Sequence, residues 1–294
     1  MNNAYLSFAA KRLAQAVIVI LMAYVFTFTV VSILPGDPIT NVLRNPQNGF
    51  SEAEIQEIIA AQGLDKPVLV QLSTSLSHFL IGDFGLSMRT NRPVTTMIAE
   101  VLPSTLVLAS AGLIVALILA IALSYGTQFL PKRFGQGLLR GFPSLFLSVP
   151  NFVIGLVLIH IFGFQLGLFR VINPDSFWAT FFAAIALGIP ISAQIAEVLI
   201  ANLDHETGQE YAAVARSRGL GQLQLFVRHL LKPSSLPVIT VVALTIGELL
   251  GGSLITEAVF ARTGIGSLVQ RSVSTQDLPV LQAIVSLAAV VFVL

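Results

Sequence analysis

Two carboxylates stand where charge is costly in this apolar chain: Glu197, in Ile195-Ala196-Glu197-Val198-Leu199, and Glu248, in Ile246-Gly247-Glu248-Leu249-Leu250. A charged side chain at the centre of a membrane span costs about 2.5–3.5 kcal/mol on insertion scales, so each should face protein or a water-filled path rather than lipid. One reading makes them the acidic lining of a translocation pathway, suited to cationic or metal-bearing solutes. The other leaves each protonated, or hydrogen-bonded to a neighbouring helix, with a packing role only. Other chemistry finds no support. His78, His160, His205 and His229 are scattered and form no H-E-x-x-H or comparable ligand spacing, so no metal site is expected. His160, near the outer end of an apolar segment, reads as a structural histidine. No G-x-x-x-x-G-K-[ST] phosphate loop and no G-x-S-x-G nucleophile elbow occurs, so neither ATP hydrolysis nor acyl transfer is expected of this chain. Without cysteine there is neither disulfide nor thiolate chemistry.

The segments that must hold these carboxylates are membrane spans. Apolar residues make up 55% of the chain and charged ones 11%, with mean hydropathy +0.84, whereas soluble domains carry about 25% charged residues. The class is therefore all-α integral membrane. The first apolar run, 13–34, is too long for a signal-peptide core of roughly 7–15 residues, so it reads as an uncleaved span. It ends at Leu34-Pro35-Gly36-Asp37-Pro38, where two prolines and a glycine cannot continue a helix. Further spans are expected at about 104–130, 141–164 (interrupted by Pro143 and Pro150), 178–201, 237–260 and 279–294. Trp178 is placed as an interfacial anchor. The last span has 16 residues, about 24 Å at 1.5 Å each, short of the roughly 30 Å hydrocarbon core. The native chain is accordingly expected to continue past residue 294. Lys11 and Arg12 precede the first span, and Lys132, Arg133 and Arg140 crowd the 131–140 loop with no acidic residue. Both put those segments, and the N-terminus, on the cytoplasmic side. Residues 35–103 then form an extracytoplasmic segment. It has an amphipathic helix from Ser51 to about Ala61, a turn at Gly63-Leu64-Asp65-Lys66-Pro67, a weaker helix to about Leu80, and a loop at Gly82–Ser87. Gly247, Gly251 and Gly252 permit close helix approach in the fifth span.

Between the fourth and fifth spans, the 202–236 loop carries a short helix pattern with its own start and stop signals. Thr207 and Glu210 stand in the S/T-x-x-E relation of a capping box. Gly219, after Arg216 and Arg218, fits a left-handed stop. About eleven residues is marginal for an isolated helix, so this one needs something to dock against.

The whole pattern resembles the inner-membrane permease subunits of binding-protein-dependent ABC importers, in the dipeptide, oligopeptide and nickel group. The residues carrying the resemblance run in order along the chain: Leu34-Pro35-Gly36-Asp37-Pro38, Gly63–Pro67 with Gln71, Gly82-Asp83-Phe84-Gly85-Leu86-Ser87, and Leu102-Pro103-Ser104-Thr105. They continue with Glu210-Tyr211, Ala215, Gly219-Leu220, Arg228-His229, Thr256-Glu257, Phe260 and Gly264-Ile265-Gly266.

The resemblance implies a six-transmembrane-helix type I ABC importer permease, one transmembrane domain over residues 1–294, in a bacterial inner membrane. It implies a transport subunit rather than an enzyme. The expected partners are a second homologous permease, two cytoplasmic ATPases carrying the ATP and Mg²⁺, and an extracytoplasmic solute-binding protein; the lipid bilayer surrounds it and no nucleic acid is involved. No cofactor is expected in this chain. The short helix then corresponds to the coupling helix, with Glu210, Tyr211, Ala212, Ala213, Ala215, Arg216, Arg218, Gly219 and Leu220 as the residues that meet an ATPase. Cargo in this group includes peptides, nickel or metal chelates, and oligosaccharides. The sequence departs from the pattern in three places. Ala213 stands where the general importer loop has a glutamate, and Thr263 where a proline precedes Gly264. Glu197 and Ile200 occupy positions where peptide permeases often carry arginine. The competing expectations are a proton- or cation-coupled secondary transporter using Glu197 and Glu248, and a membrane scaffold whose short helix docks some other partner.

Overall fold

A computed structural model describes residues 2–33, 66–130 and 135–293, with residues 51, 52, 56 and 59 besides. The proline-glycine stop after the first span, most of the helix placed at 51–61, most of the 63–67 turn and the Lys132-Arg133 part of the basic loop lie outside them. The described elements are helical: α1 (Asn2–Ile33), α2 (Val68–Leu80), α3 (Val94–Phe129), α4 (Gln136–Ser148), α5 (Asn151–Leu158), α6 (Phe177–Thr207), α7 (Glu210–Ser217), α8 (Gln222–Leu225), α9 (Leu231–Val259), α10 (Ile265–Ser274) and α11 (Leu278–Val293). A π-helical turn continues α5 over Ile159–Gln165, and another joins α8 to α9 over Phe226–Leu230. Among the described residues, four helical runs are long and apolar enough to cross a membrane: Ala10–Ser32 in α1, α3, α6 and the α8–α9 run. Counting the bent α4–α5 pair as one span makes up to five, and α11, with 16 residues, is shorter.

Two helices differ from the sequence expectation for clear reasons. α3 starts at Val94, ten residues before the expected span, and carries Pro103 inside it. A proline removes one backbone bond, and the remaining turns of a 36-residue helix hold the segment together. The segment expected as one span at 141–164 is instead two helices bent by 99°. Pro143 stays within α4, but Pro150 forces Val149 into extended backbone (φ −100°, ψ 120°) and restarts the helix at Asn151.

The chain divides into two compact units, residues 103–266 and residues 1–102 with 267–294. The 103–266 unit is built around α6, whose apolar stretch is 67% buried. Ser176 caps its start, accepting a hydrogen bond from the Ala179 amide at 3.3 Å. Gly188 of α6 faces α3 so closely that a Cβ there would lie 2.8 Å from the Gly112 carbonyl oxygen. Phe162, Phe169 and Phe182 stack with centroids 4.5 and 5.3 Å apart. Elsewhere in the unit the edge of Phe226, on the second π turn, meets Tyr125 and Phe129 at 5.2 and 5.9 Å.

In the other unit α1 packs on α11, and α2 rests on α1 through Tyr24 stacked on Phe79 at 4.4 Å. Ser75 donates to the Gln282 side-chain oxygen (3.2 Å) and also bonds the Tyr24 hydroxyl. Asp277 accepts from the Ser87 hydroxyl (2.5 Å) and the Met88 amide (3.1 Å), which pins the 82–87 loop in place.

Candidate docking helix and intramembrane carboxylates

α7 is eight residues long and starts differently from the expected capping box. Thr207 is still the last residue of α6, and its hydroxyl donates to the Gln128 side-chain oxygen at 3.4 Å. Only Gly208 and Gln209 separate the two helices, so Gln209, extended at φ −74°, ψ 151°, is the N-cap, with no side-chain cap bond. A helical residue cannot take the extended backbone that a capping side chain needs. The stop follows the expectation. Gly219 lies at φ +79°, its amide bonds the Arg216 carbonyl at 2.9 Å, and the Leu220 amide reaches the Ala215 carbonyl at 3.4 Å. That pair of bonds is the Schellman closure of a helix.

The helix has an inner and an outer face. Ala212 and Ala215 are buried against the 103–266 core, and Leu220 packs on the same core. Glu210, Tyr211, Ala213, Val214, Arg216 and Arg218 point outward. Tyr211 and Val214, 40% and 50% exposed, make this face partly apolar. The Tyr211 hydroxyl donates to Glu206 at 2.5 Å. Desolvation, then the Glu206 carboxylate, pushes its pKa up to about 12. Arg216 donates to the Thr207 carbonyl at 3.3 Å.

Glu197 and Glu248 are both exposed on the 103–266 unit. Gln194 lies three residues before Glu197, hence on the same face of α6, and it donates to the Glu248 side chain at 2.9 Å. α6 and α9 therefore share one open polar stripe carrying two carboxylates and an amide. Ile200 is buried in the core, so of the two departures on α6 only Glu197 faces outward. His160 is exposed and shares a 3.2 Å contact with Gln165. Among the described residues no three His, Asp or Glu side chains gather as metal ligands would.

A third carboxylate, Glu257 in the last turn of α9, was legible only as part of a motif. It is wholly buried, accepting from the Thr105 hydroxyl at 2.6 Å and the Gly266 amide at 2.8 Å, while Thr105 also accepts from the Ile265 amide at 2.8 Å. A Cβ at Gly264 would overlap the Glu257 carboxylate, and one at Gly266 would overlap Leu254. The two glycines leave room for this carboxylate to reach the Gly266 amide in the first turn of α10. Nearby Arg262, almost fully buried, donates to the Pro174 carbonyl (2.6 Å) and the Thr180 hydroxyl (2.7 Å). The signal was the spacing of an in-span glutamate ahead of Gly-Ile-Gly.

Residues 112–294 match the family of binding-protein-dependent transport system inner membrane components, and residues 5–109 match the N-terminal region of such membrane components. The glutathione transport system permease protein GsiC of Escherichia coli K12 is 31% identical over 290 residues, covering 98% of this chain and 94% of that protein. GsiC of Salmonella typhimurium LT2 and of Shigella boydii serotype 4 match with the same identity and coverage.

Proposed function

From a chain that belongs to the family of binding-protein-dependent transport system inner membrane components, we propose a working part in an ATP-driven importer of peptide-like solutes. The chain is the permease subunit and pairs with a second permease. Two cytoplasmic ATPases supply ATP and Mg²⁺, and an extracytoplasmic solute-binding protein delivers cargo. The E. coli and Salmonella relatives are named for glutathione transport, which favours a small peptide over nickel or an oligosaccharide. The secondary-transporter reading of Glu197 and Glu248 has no support from this family.

The observation that carries the reading is the two-faced α7. Ala212 and Ala215 fasten it to its own chain, and Gly219 closes it. That leaves Glu210, Tyr211, Val214, Arg216 and Arg218 as a surface for an ATPase groove. The inner alanines transmit the docked helix's motion to the core, and the outer side chains do the docking. Ala213 replaces the usual glutamate on that outer face, so docking rests on shape, Glu210 and the arginines. The N-terminus and α7 are cytoplasmic on this reading, and Glu197 and Glu248 line the pathway.

The test is ATP-dependent uptake of labelled glutathione and di- to tetrapeptides by the complex reconstituted in liposomes. Uptake that requires the ATPases, and that Gly219→Pro or Ala215→Asp abolishes with membrane insertion intact, is the expected result. Uptake without any ATPase chain overturns the proposal.

A further inference from the structure

Beside the base of α7 lies a cluster that the docking surface does not use. Asp204, in the last turn of α6, receives both terminal nitrogens of Arg140 from α4: Nη1 to Oδ2 at 2.8 Å and Nη2 to Oδ1 at 2.9 Å. The same Oδ1 accepts from the Gln128 amide of α3 at 2.6 Å. Gln128 in turn accepts from Thr207 at 3.4 Å, and the Thr207 carbonyl takes the Arg216 hydrogen bond from α7 at 3.3 Å. Gln136, at the start of α4, adds a 2.6 Å bond to the Thr127 carbonyl of α3. One carboxylate thus gathers three helix ends, and a chain of three polar contacts joins it to the docking helix.

The exposure of the pair argues against a stability device. Arg140 and Asp204 are 41% and 42% exposed, and ion pairs at that exposure add little to folding. The fork-to-fork geometry does something else: it fixes the mutual orientation of the helices that carry it. α4 is also the segment that turns by 99° at Val149-Pro150 into α5, so its direction is set at two places, the proline break and this fork.

We infer that Asp204 is a positioning residue for energy coupling: the Asp204–Arg140–Gln128 clamp binds the ends of α3, α4 and α6 to α7, so that movement of the docked α7 shifts all three together. The inference rests on α7 being the ATPase-docking helix. The clamp has no part in holding the ATPase itself. Its loss therefore separates hydrolysis from transport, whereas loss of docking removes both.

The experiment uses the complete complex in proteoliposomes and measures peptide uptake per ATP hydrolysed. Asp204→Asn and Arg140→Gln are each expected to lower that ratio roughly two- to thirtyfold, the range of coupling effects carried by such networks, with ATPases still co-purifying and hydrolysing. The double variant should be no worse than either single one. The charge-reversed pair Arg140→Asp with Asp204→Arg should recover part of the ratio, which rules out a merely misfolded chain. An unchanged ratio, additive losses, or uptake and hydrolysis falling in parallel overturns the inference. Failure of the α7 reading shows separately, as a Gly219→Pro chain that retains its ATPases and its uptake.

Discussion

At the scale of single residues, the costliest arrangement is Glu257. A wholly buried carboxylate survives because its oxygens are met by Thr105 and the Gly266 amide, and removing such a partner exposes the penalty of an unsatisfied polar group. Thr105→Val keeps the shape but deletes the hydroxyl that donates to Glu257 and accepts from Ile265. It should cost about 1–3 kcal/mol, read as a lower unfolding midpoint of the detergent-solubilised chain. No change in midpoint would mean that water replaces the hydroxyl. The exposed Asp83 gives a pH prediction of known sign. The Gly85 amide (2.9 Å) and then the His78 ring (3.0 Å) hold its carboxyl below the ordinary carboxylate value. A carboxylate depressed in the folded state adds order that is present above its unfolded pKa and lost as pH falls through the folded one. Hydrogen exchange at the Gly85 amide, corrected for its intrinsic pH dependence, should therefore quicken only under acid, below pH about 4. An Asp83→Asn chain should lose that acid step.

At the scale of elements, the sequence reading succeeded where local chemistry decides and failed where tertiary contacts do. Gly219 marks a stop because only glycine takes φ +79° cheaply, and that could be read from Arg216-Ser217-Arg218-Gly219. Thr207 looked like a cap because the S/T-x-x-E spacing is local, but α6 runs on through it and leaves two residues for the turn. Pro143 and Pro150 looked alike, and only the backbone of Val149 shows which one breaks the helix. The glycines of α9 divide on this point: a Cβ at Gly252 would lie 3.2 Å from the Leu187 side chain of α6, a close approach as expected. A Cβ at Gly251 would meet nothing within 4 Å, whereas Gly188 on α6, which no motif marked, touches the backbone of α3. Gly188→Ala should therefore destabilise the chain by about 1–3 kcal/mol, because a carbonyl oxygen cannot step aside as a side chain can. Gly251→Ala should be neutral or slightly stabilising, through its helix propensity. Thermal unfolding of the two variants side by side decides it, and equal midpoints would remove close approach as the reason for glycine at 188.

At the scale of the whole molecule, an exposed in-span carboxylate on a single chain is an incomplete structure, since no lipid-facing helix keeps such a group without cost. Glu197, Gln194 and Glu248 form one stripe across α6 and α9, and the assembled transporter must place it against water or protein. The proposed pathway gives it water; simple packing against the second permease gives it protein. The absence of cysteine from the sequence makes the two distinguishable with one introduced thiol at a time. In the assembled complex, Glu197→Cys should react with a charged, membrane-impermeant thiol reagent, because thiolate formation and reagent access both need water. Ile246→Cys, two residues before Glu248 and so on a different face of the same helix, is 43% exposed in the single chain; its apolar setting suits lipid and it should resist. Bound peptide should protect Glu197→Cys, and Glu197→Gln should weaken uptake of cargo with a free amino group more than of N-acetylated cargo. A Glu197→Cys chain that stays unreactive with and without ATP would place this carboxylate in a packed interface, and the acidic stripe would then have no say in what the transporter carries.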